Sequence, residues 1–398
     1  MTERPAGRPP APRRRAWLAA LAWRAGQRIA SGIARPGAGA PVLATWARST
    51  WARSTLAMLG LCLLGSLPAA AEDPPIRIKV VGGLASVSQY VRYEEPFWTE
   101  RVPGLTNGRV QAEIAPFDRS GIRGQEMLQL IRLGVVPFGT VLLALAAADE
   151  PELNAIDLPL INPDIATLRE TERLWRPRLE QLLHDRYGVE LLAIYTYPAQ
   201  VMFCQKPFGG LSDLAGRRVR VSSVGQSELI EALGATPVVT PFASIVSSIR
   251  AGVVHCAITG TLSGNAIGLQ EVTTHVSRTA ISWGASIFAA NERAWLALPE
   301  QARAAIKQGL AGLQQDIWDG AAQETEDGLL CNAGRPECLA GTRGQMTIVE
   351  DRPEEQQRRR QWLTNTVLPA WVQRCGADCA DTWNSIMGKA RGIYAKTD

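Results

Sequence analysis

Three arginines stand within four positions, Arg217, Arg218 and Arg220, in the stretch RRVRV. The residues around them read as a buried strand, where that much charge is unusual. Successive side chains of a strand face opposite sides, so Arg218 and Arg220 share one face, while Arg217 shares the other with Val219 and Val221. Arg217 and Arg218 follow the turn DLAG and belong to the wet start of the strand. Arg220 lies toward the C-terminal end, the end at which open α/β sheets bind their ligands. A guanidinium there can hold a carboxylate through two parallel hydrogen bonds, a geometry that lysine does not offer. It can equally serve in a buried ion pair, and the spacing alone leaves both readings open.

No set of residues with catalytic spacing accompanies these arginines. The chain lacks G-x-S-x-G, a P-loop, H-E-x-x-H, and a G-x-G-x-x-G between strand and helix. The carboxylate pairs Glu94–Glu95 and Asp149–Glu150 fall at surface-like positions. His184, His255 and His275 show no metal-ligand spacing, and no C-x-x-C occurs. His255 invites a pH-switch reading, set against the plainer one of a strand-end residue. The expectation is a protein that is not an enzyme and carries no cofactor and no metal.

The elements around RRVRV follow a repeated order. IRIKVVGG is a strand, QYVRYEEPFWTERVPGLTNG a helical stretch closing at Asn107-Gly108, RVQAEIAPF a strand, GQEMLQLIRLGVV a helix stopped by Gly134, and TVLLALAA an apolar strand. A helix over about 164–187 leads to the strand–turn–strand VELLAIYTYPAQVMFC. The grammar then repeats: RRVRVS, a helix ended by Gly234, ATPVV, a helix ended by Gly252, and VVHCAI. Two β-α-β-α-β units in tandem predict an α/β fold of two lobes, each a mostly parallel sheet flanked by helices. SWGASIFAAN adds a strand. Ile306, Leu310, Leu313 and Ile317 mark one face of a long amphipathic helix that starts at Pro299. The run EDRPEEQQRRRQW reads as a solvated helix face, and Trp362, Trp371 and Trp383 as packing. The first lobe takes 72–197 with about 284–320, and the second takes 198–283 with about 321–398, including the C-terminal helices.

The basic pI of 8.7 belongs to the N-terminus. Residues 1–71 hold ten of the 42 basic residues and one of the 38 acidic ones, which leaves 32 basic and 37 acidic, a net charge of −5, for the rest. That body has no electrostatic attraction to nucleic acid. Arg48 and Arg53, the apolar run Ser54–Leu67 and Ala69-x-Ala71 have the order of a secretory signal, with cleavage expected after Ala71. An exported chain with six further cysteines predicts disulfides. The local pairs Cys331–Cys338 and Cys375–Cys379 leave Cys204 with Cys256, against a zinc site as the rival.

Several blocks in order carry a family likeness. LSDLAGRRVRV, EALGATPVVTPFASIVSSIRAGVV, FAANERAWLALPEQAR, TNGRVQAEIAPF and GQEMLQLIRLGVV resemble those of the solute-binding proteins of tripartite ATP-independent periplasmic (TRAP) transporters, of the DctP type. The resemblance covers nearly all of the chain after residue 71. It implies a two-lobed periplasmic binding protein, its lobes crossed by strands and a long lobe-spanning helix, that closes over a small carboxylate and passes it to the membrane subunits of a TRAP permease; a monomer in the periplasm is expected. It implies that Arg220 is the carboxylate ligand. A second arginine of the family falls near Gln200, and the family's VDG-x-EN block reads VHCAITGT, which moves the ligand-binding Asn to Thr259 or Gly260. Trp283, Tyr195, Ser88 and Tyr90 sit at strand ends and complete the candidate pocket. A periplasmic sensory module that presents its ligand to a receptor, and an exported enzyme on the same scaffold, are the competing readings.

Overall fold

A computed structural model describes residues 74–396; the expected leader and its cleavage site lie outside them. The strands are β1 (Ile76–Gly82), β2 (Val110–Pro116), β3 (Phe138–Leu142), β4 (Val189–Tyr195), β5 (Gln200–Cys204), β6 (Arg218–Val221), β7 (Thr236–Val239), β8 (Cys256–Gly260), β9 (His275–Ser277), β10 (Ser286–Asn291) and β11 (Thr347–Val349). They form two sheets, in the orders β2-β1-β3-β10-β4 and β11-β9-β5-β8-β6-β7. The predicted alternation is visible in β1, where Ile78, Val80 and Gly82 turn inward.

In each sheet one strand opposes the rest. β10 is antiparallel to both β3 and β4, and β5 is antiparallel to both β8 and β9. Both follow directly from the path of the chain. β4 leaves the first sheet at its C-terminal end, and after four residues the chain enters the second sheet as β5. β9 leaves the second sheet in the same sense and re-enters the first as β10. A strand that arrives from the other lobe must run against its new neighbours, so the C-terminal ends of both sheets face the same gap. The remaining strands of each sheet are parallel, as βαβ units require.

A third crossing is the helix Glu300–Asn332, about 50 Å long at 1.5 Å per residue. Its stripe of Ile306, Leu310, Leu313 and Ile317 is buried with Phe97, Trp98, Tyr195 and Phe288 of the first lobe. Each such aliphatic side chain contributes about 1.5–3 kcal/mol. Toward its C-terminus the helix meets the second lobe. A Cβ on Gly328 would lie 2.3 Å from the backbone nitrogen of Leu262, so only glycine permits that approach. This contact justifies a residue that costs about 1 kcal/mol in a helix interior.

Three details differ from the sequence reading. TVLLALAA is a strand only to Leu142, and Leu143–Ala146 turn into a short helix; an unbroken apolar run has no period to distinguish the two. SWGASIFAAN is a strand only from Ser286, because Gly284 takes φ +67° and turns the chain. EDRPEEQQRRRQW forms the helix Pro353–Trp362, yet two of its charges are not solvated. Glu355 is buried and accepts from the Leu211 N–H at 3.1 Å and from the Ser212 hydroxyl. Arg359 donates to the carbonyls of Leu160, Asn162 and Ala280 at 2.6–3.3 Å. The tryptophans do pack, and Trp371 also donates to Pro151 O at 2.8 Å. All six cysteines described are paired as expected, Cys204–Cys256, Cys331–Cys338 and Cys375–Cys379, and the first pair joins register partners of β5 and β8.

The return crossing is pinned by one carboxylate. Asp157 is buried and accepts from the N–H groups of Trp283 at 2.9 Å and Ala285 at 3.1 Å. Burial lifts its pKa to about 7 against the downward pull of these hydrogen bonds. In the unfolded chain it titrates near 3.9. Between those values the folded state holds a proton that the unfolded state has released, so the stability it brings is complete below about pH 4 and is lost as pH rises through about 7. Chemical denaturation from about pH 5 to about pH 8 is therefore expected to show stability falling, by at most about 1.4 kcal/mol per pH unit from this group. Asp157→Asn, which keeps an acceptor and cannot ionise, flattens that slope. Equal slopes in both proteins would assign it to other groups.

Candidate functional site

Between the C-terminal ends of the two sheets lies a cleft of about 470 Å³. The loops after β1, β2 and β3 supply one wall, through Leu84 and Val87, Phe117 to Gln125, and Leu142 to Leu145. The ends of β6, β7 and β8 supply the other, through Arg220, Ser222, Thr240 and Thr259. Tyr197, Gln200, Gly284 and Ala285 of the two crossings close it at the back. The site therefore sits where the chain changes sheets.

Arg220 is 4% exposed. Its Nε donates to Thr240 O at 2.9 Å and its Nη1 to Ile258 O at 2.7 Å. Those carbonyls belong to the strands and turns on either side of β6, so the guanidinium is oriented by backbone that pairing already fixes. Nη2 makes no hydrogen bond, and no carboxylate forms an ion pair with Arg220 among the described residues. Burial without a counter-charge lowers its pKa to about 10. The buried ion pair left open by the sequence is thus absent, and the free edge of the fork lines the cleft.

The other two arginines take the places their position in the strand suggested. Arg217 donates to Lys206 O and Pro207 O. Exposed Arg218 donates to Gly252 O and Val253 O. Both fasten turns. His255 precedes β8, at its end remote from the cleft, and its Nδ1 accepts from the Arg218 N–H at 3.1 Å, which favours the plainer of its two readings.

The remaining candidates divide. Gln200 and Thr259 line the cleft with Arg220. Gly260 is their neighbour: a Cβ there would lie 2.8 Å from Ser263 Oγ and 3.1 Å from Gln200 Nε2. Four lie off the cleft. Trp283 is buried and its indole N–H donates to Asn162 O at 3.0 Å. Tyr195 is the last residue of β4 and packs in the first-lobe core beside Phe288. Ser88 precedes the helical turn Gln89–Glu94, and Tyr90 in that turn is 5% exposed with its ring against Gly82. Glu94, read as a surface carboxylate, is fully buried. It accepts from the Gly83 N–H at 2.6 Å, Gln89 Nε2 at 3.0 Å and the Thr140 hydroxyl at 2.7 Å, and holds the glycine turn under Leu84 in place.

The first-lobe wall was missed. Leu84, Val87, Phe117 and Asp118 follow β1 and β2, which the sequence places, whereas Leu142 ends β3 and Leu145 lies in the short helix hidden by the unbroken apolar run; the rule that placed Arg220 applies to every parallel strand end. Tyr197 is the tyrosine of YTYP that reaches the cleft, beyond the end of β4, and its buried hydroxyl makes no hydrogen bond of normal geometry.

The pattern described as "Bacterial extracellular solute-binding protein, family 7" (DctP) matches residues 88–362. The chain is 30% identical over 222 residues to the outer membrane transporter protein TsaT of Comamonas testosteroni, a match covering 53% of this chain and 63%, less than two thirds, of that protein. It is 25% identical over 265 residues to the C4-dicarboxylate-binding periplasmic protein DctP of Rhodobacter capsulatus, covering 66% of this chain and 78% of the relative. Its fold is similar to that of DctP7, an extracytoplasmic solute receptor of Bordetella pertussis binding pyroglutamic acid, with a TM-score of 0.69 at 21% identity over 78% of this chain and 99% of the other. Among the described residues no helix is long and apolar enough to cross a membrane.

The close packing at Gly260 is testable once a ligand is bound. Gly260→Ala forces Ser263 and Gln200 aside and is expected to weaken ligand binding by about 1 kcal/mol, roughly fivefold in Kd. Calorimetric titration checks it, and an unchanged Kd would place Gln200 outside the contact set.

Proposed function

The chain belongs to the DctP family of bacterial extracellular solute-binding proteins, and we propose that it captures a small organic acid in the cleft between its lobes. In this reading the solute carboxylate docks on the free edge of Arg220, Gln200 and Thr259 contact the same end of the solute, and the two lobes close over it. The loaded protein, exported to the periplasm as a monomer, then delivers the acid to the membrane subunits of a TRAP-type secondary transporter.

One observation carries the reading: a buried guanidinium, oriented by two backbone carbonyls and unpaired with any acid among the described residues, opens into the cleft. A protein gains nothing in stability from such a charge. A carboxylate supplied from outside completes it through charge-assisted hydrogen bonds in a site with little water, where they are stronger than at a surface.

The test is a thermal-shift and calorimetric screen of organic acids on the purified protein. An acid at 100 times its Kd stabilises the fold by about 2.7 kcal/mol. Arg220→Ala is expected to cost about 2–5 kcal/mol of binding, and Arg220→Lys, which keeps the charge but not the fork, to restore only part of it. An Arg220→Ala protein that binds as tightly as the parent would sink the assignment.

A further inference from the structure

The two walls of the cleft differ in character. The second lobe supplies Arg220, and the neutral polar groups Ser222, Thr259 and Gln200 stand on its side or at the back of the cleft. The facing wall is mostly hydrocarbon: Leu84, Val87, Phe117, Leu142 and Leu145 line it, with the Gln125 amide and the Tyr197 hydroxyl as its neutral polar groups, and Phe242 extends the apolar rim onto the second lobe. Two further charged side chains line the cleft, Arg123 and Asp118. Arg123 is paired with Glu126 and its side chain is 78% exposed, so its charge is neutralised and screened. Asp118 is exposed and accepts from the Ala85 N–H at 3.1 Å. It places negative charge on the first-lobe side, opposite in sign to what a second carboxylate requires.

A solute with two carboxylates would leave one of them without a buried cation. A sugar acid would press its hydroxyls against leucine and phenylalanine, where each added hydroxyl costs up to roughly a hundredfold in discrimination. A hydrocarbon ring meets neither penalty. The cleft volume of about 470 Å³ lies within the range of about 300–1,000 Å³ common to small-molecule pockets, so space does not exclude a ring.

Resting on the reading of Arg220 as the carboxylate ligand, we propose that the solute is a monocarboxylate with a hydrocarbon ring as its body, an aromatic or alicyclic acid. Its carboxylate meets the second lobe and its ring fills the first-lobe wall. Leu84 and Leu142, at the ends of β1 and β3, then select the body of the solute, while Arg220 selects its charge.

The experiment is calorimetric titration of the purified protein with phenylacetate, cyclohexanecarboxylate, succinate and galacturonate. The ring acids are expected to bind about tenfold or more tighter than the other two. Leu84→Asn is expected to weaken the ring acids about tenfold or more, and Arg220→Ala to weaken them at least about thirtyfold. If succinate or galacturonate binds more tightly and Arg220→Ala weakens it by that much, the ring-acid inference falls and the role of Arg220 stands. If the ring acids bind equally well to Arg220→Ala, the role of Arg220 falls. Failure to bind any of the four overturns the inference, and the parent titrations decide it even where Leu84→Asn does not fold.

Discussion

A guanidinium taken out of water is stable only where its hydrogen bonds are supplied, and Arg220 receives them from Thr240 O and Ile258 O. Both acceptors are backbone: Thr240 directly follows β7, and Ile258 lies in β8 paired with Met202 of β5. The arrangement leaves the positive charge itself unmatched. Nearly everything around the cleft follows from that. The strand must deliver Arg220 at its C-terminal end, Arg217 and Arg218 must stay at its wet start, and the cleft must be deep enough to desolvate the group. Replacing a buried ion by hydrocarbon commonly stabilises a fold. The charge is therefore retained at some cost in stability, which fits a group that waits for an external anion.

The crossings give that charge something to close against. Because β5 and β10 arrive from the other lobe, both sheets present their C-terminal ends to one gap. Tyr197, Gln200, Gly284 and Ala285 of the crossings form its back. Asp157 ties the Trp283–Ala285 turn to the first lobe, and Arg359 ties the neighbouring Ala280 carbonyl to the C-terminal helix. The C-terminal helices touch both sides of the molecule, since Trp371 bonds Pro151 while Arg374 forms a two-pronged pair with Glu228.

How much of this was legible in the sequence depends on whether a residue type carries direction. Arginine in a strand does: alternation and the position of the turn separated Arg220 from its two neighbours. The stripe Ile306, Leu310, Leu313 and Ile317 does so through its helical period. An apolar loop residue does not. Leu84 or Phe117 in a loop looks like core, and only the position of the loop at a parallel strand end tells otherwise. Trp283 and Tyr195 failed for a related reason. The indole of Trp283 is claimed by Asn162, far away in sequence, and Tyr195 falls one residue on the core side of the strand end that Tyr197 passes. Glu94 and Glu355 show the same limit for charge, since a carboxylate that caps buried backbone N–H groups is indistinguishable by type from a solvated one.

The two walls divide recognition between two kinds of force. A hydrogen-bonded fork discriminates strongly between anion and neutral solute, but it repays a desolvation cost on both partners and adds limited net affinity. Hydrocarbon contact contributes about 25 cal/mol per Å² removed from water and, in the proposed reading, selects the body of the solute. A cleft with the fork on one lobe and hydrocarbon on the other gains the second contribution only when the walls approach. Solute binding and closure are then one equilibrium. In the proposed reading a bound acid favours a closed form by no more than its differential affinity for the two forms, and we assign that difference to the wall of Leu84, Phe117 and Leu142 rather than to Arg220.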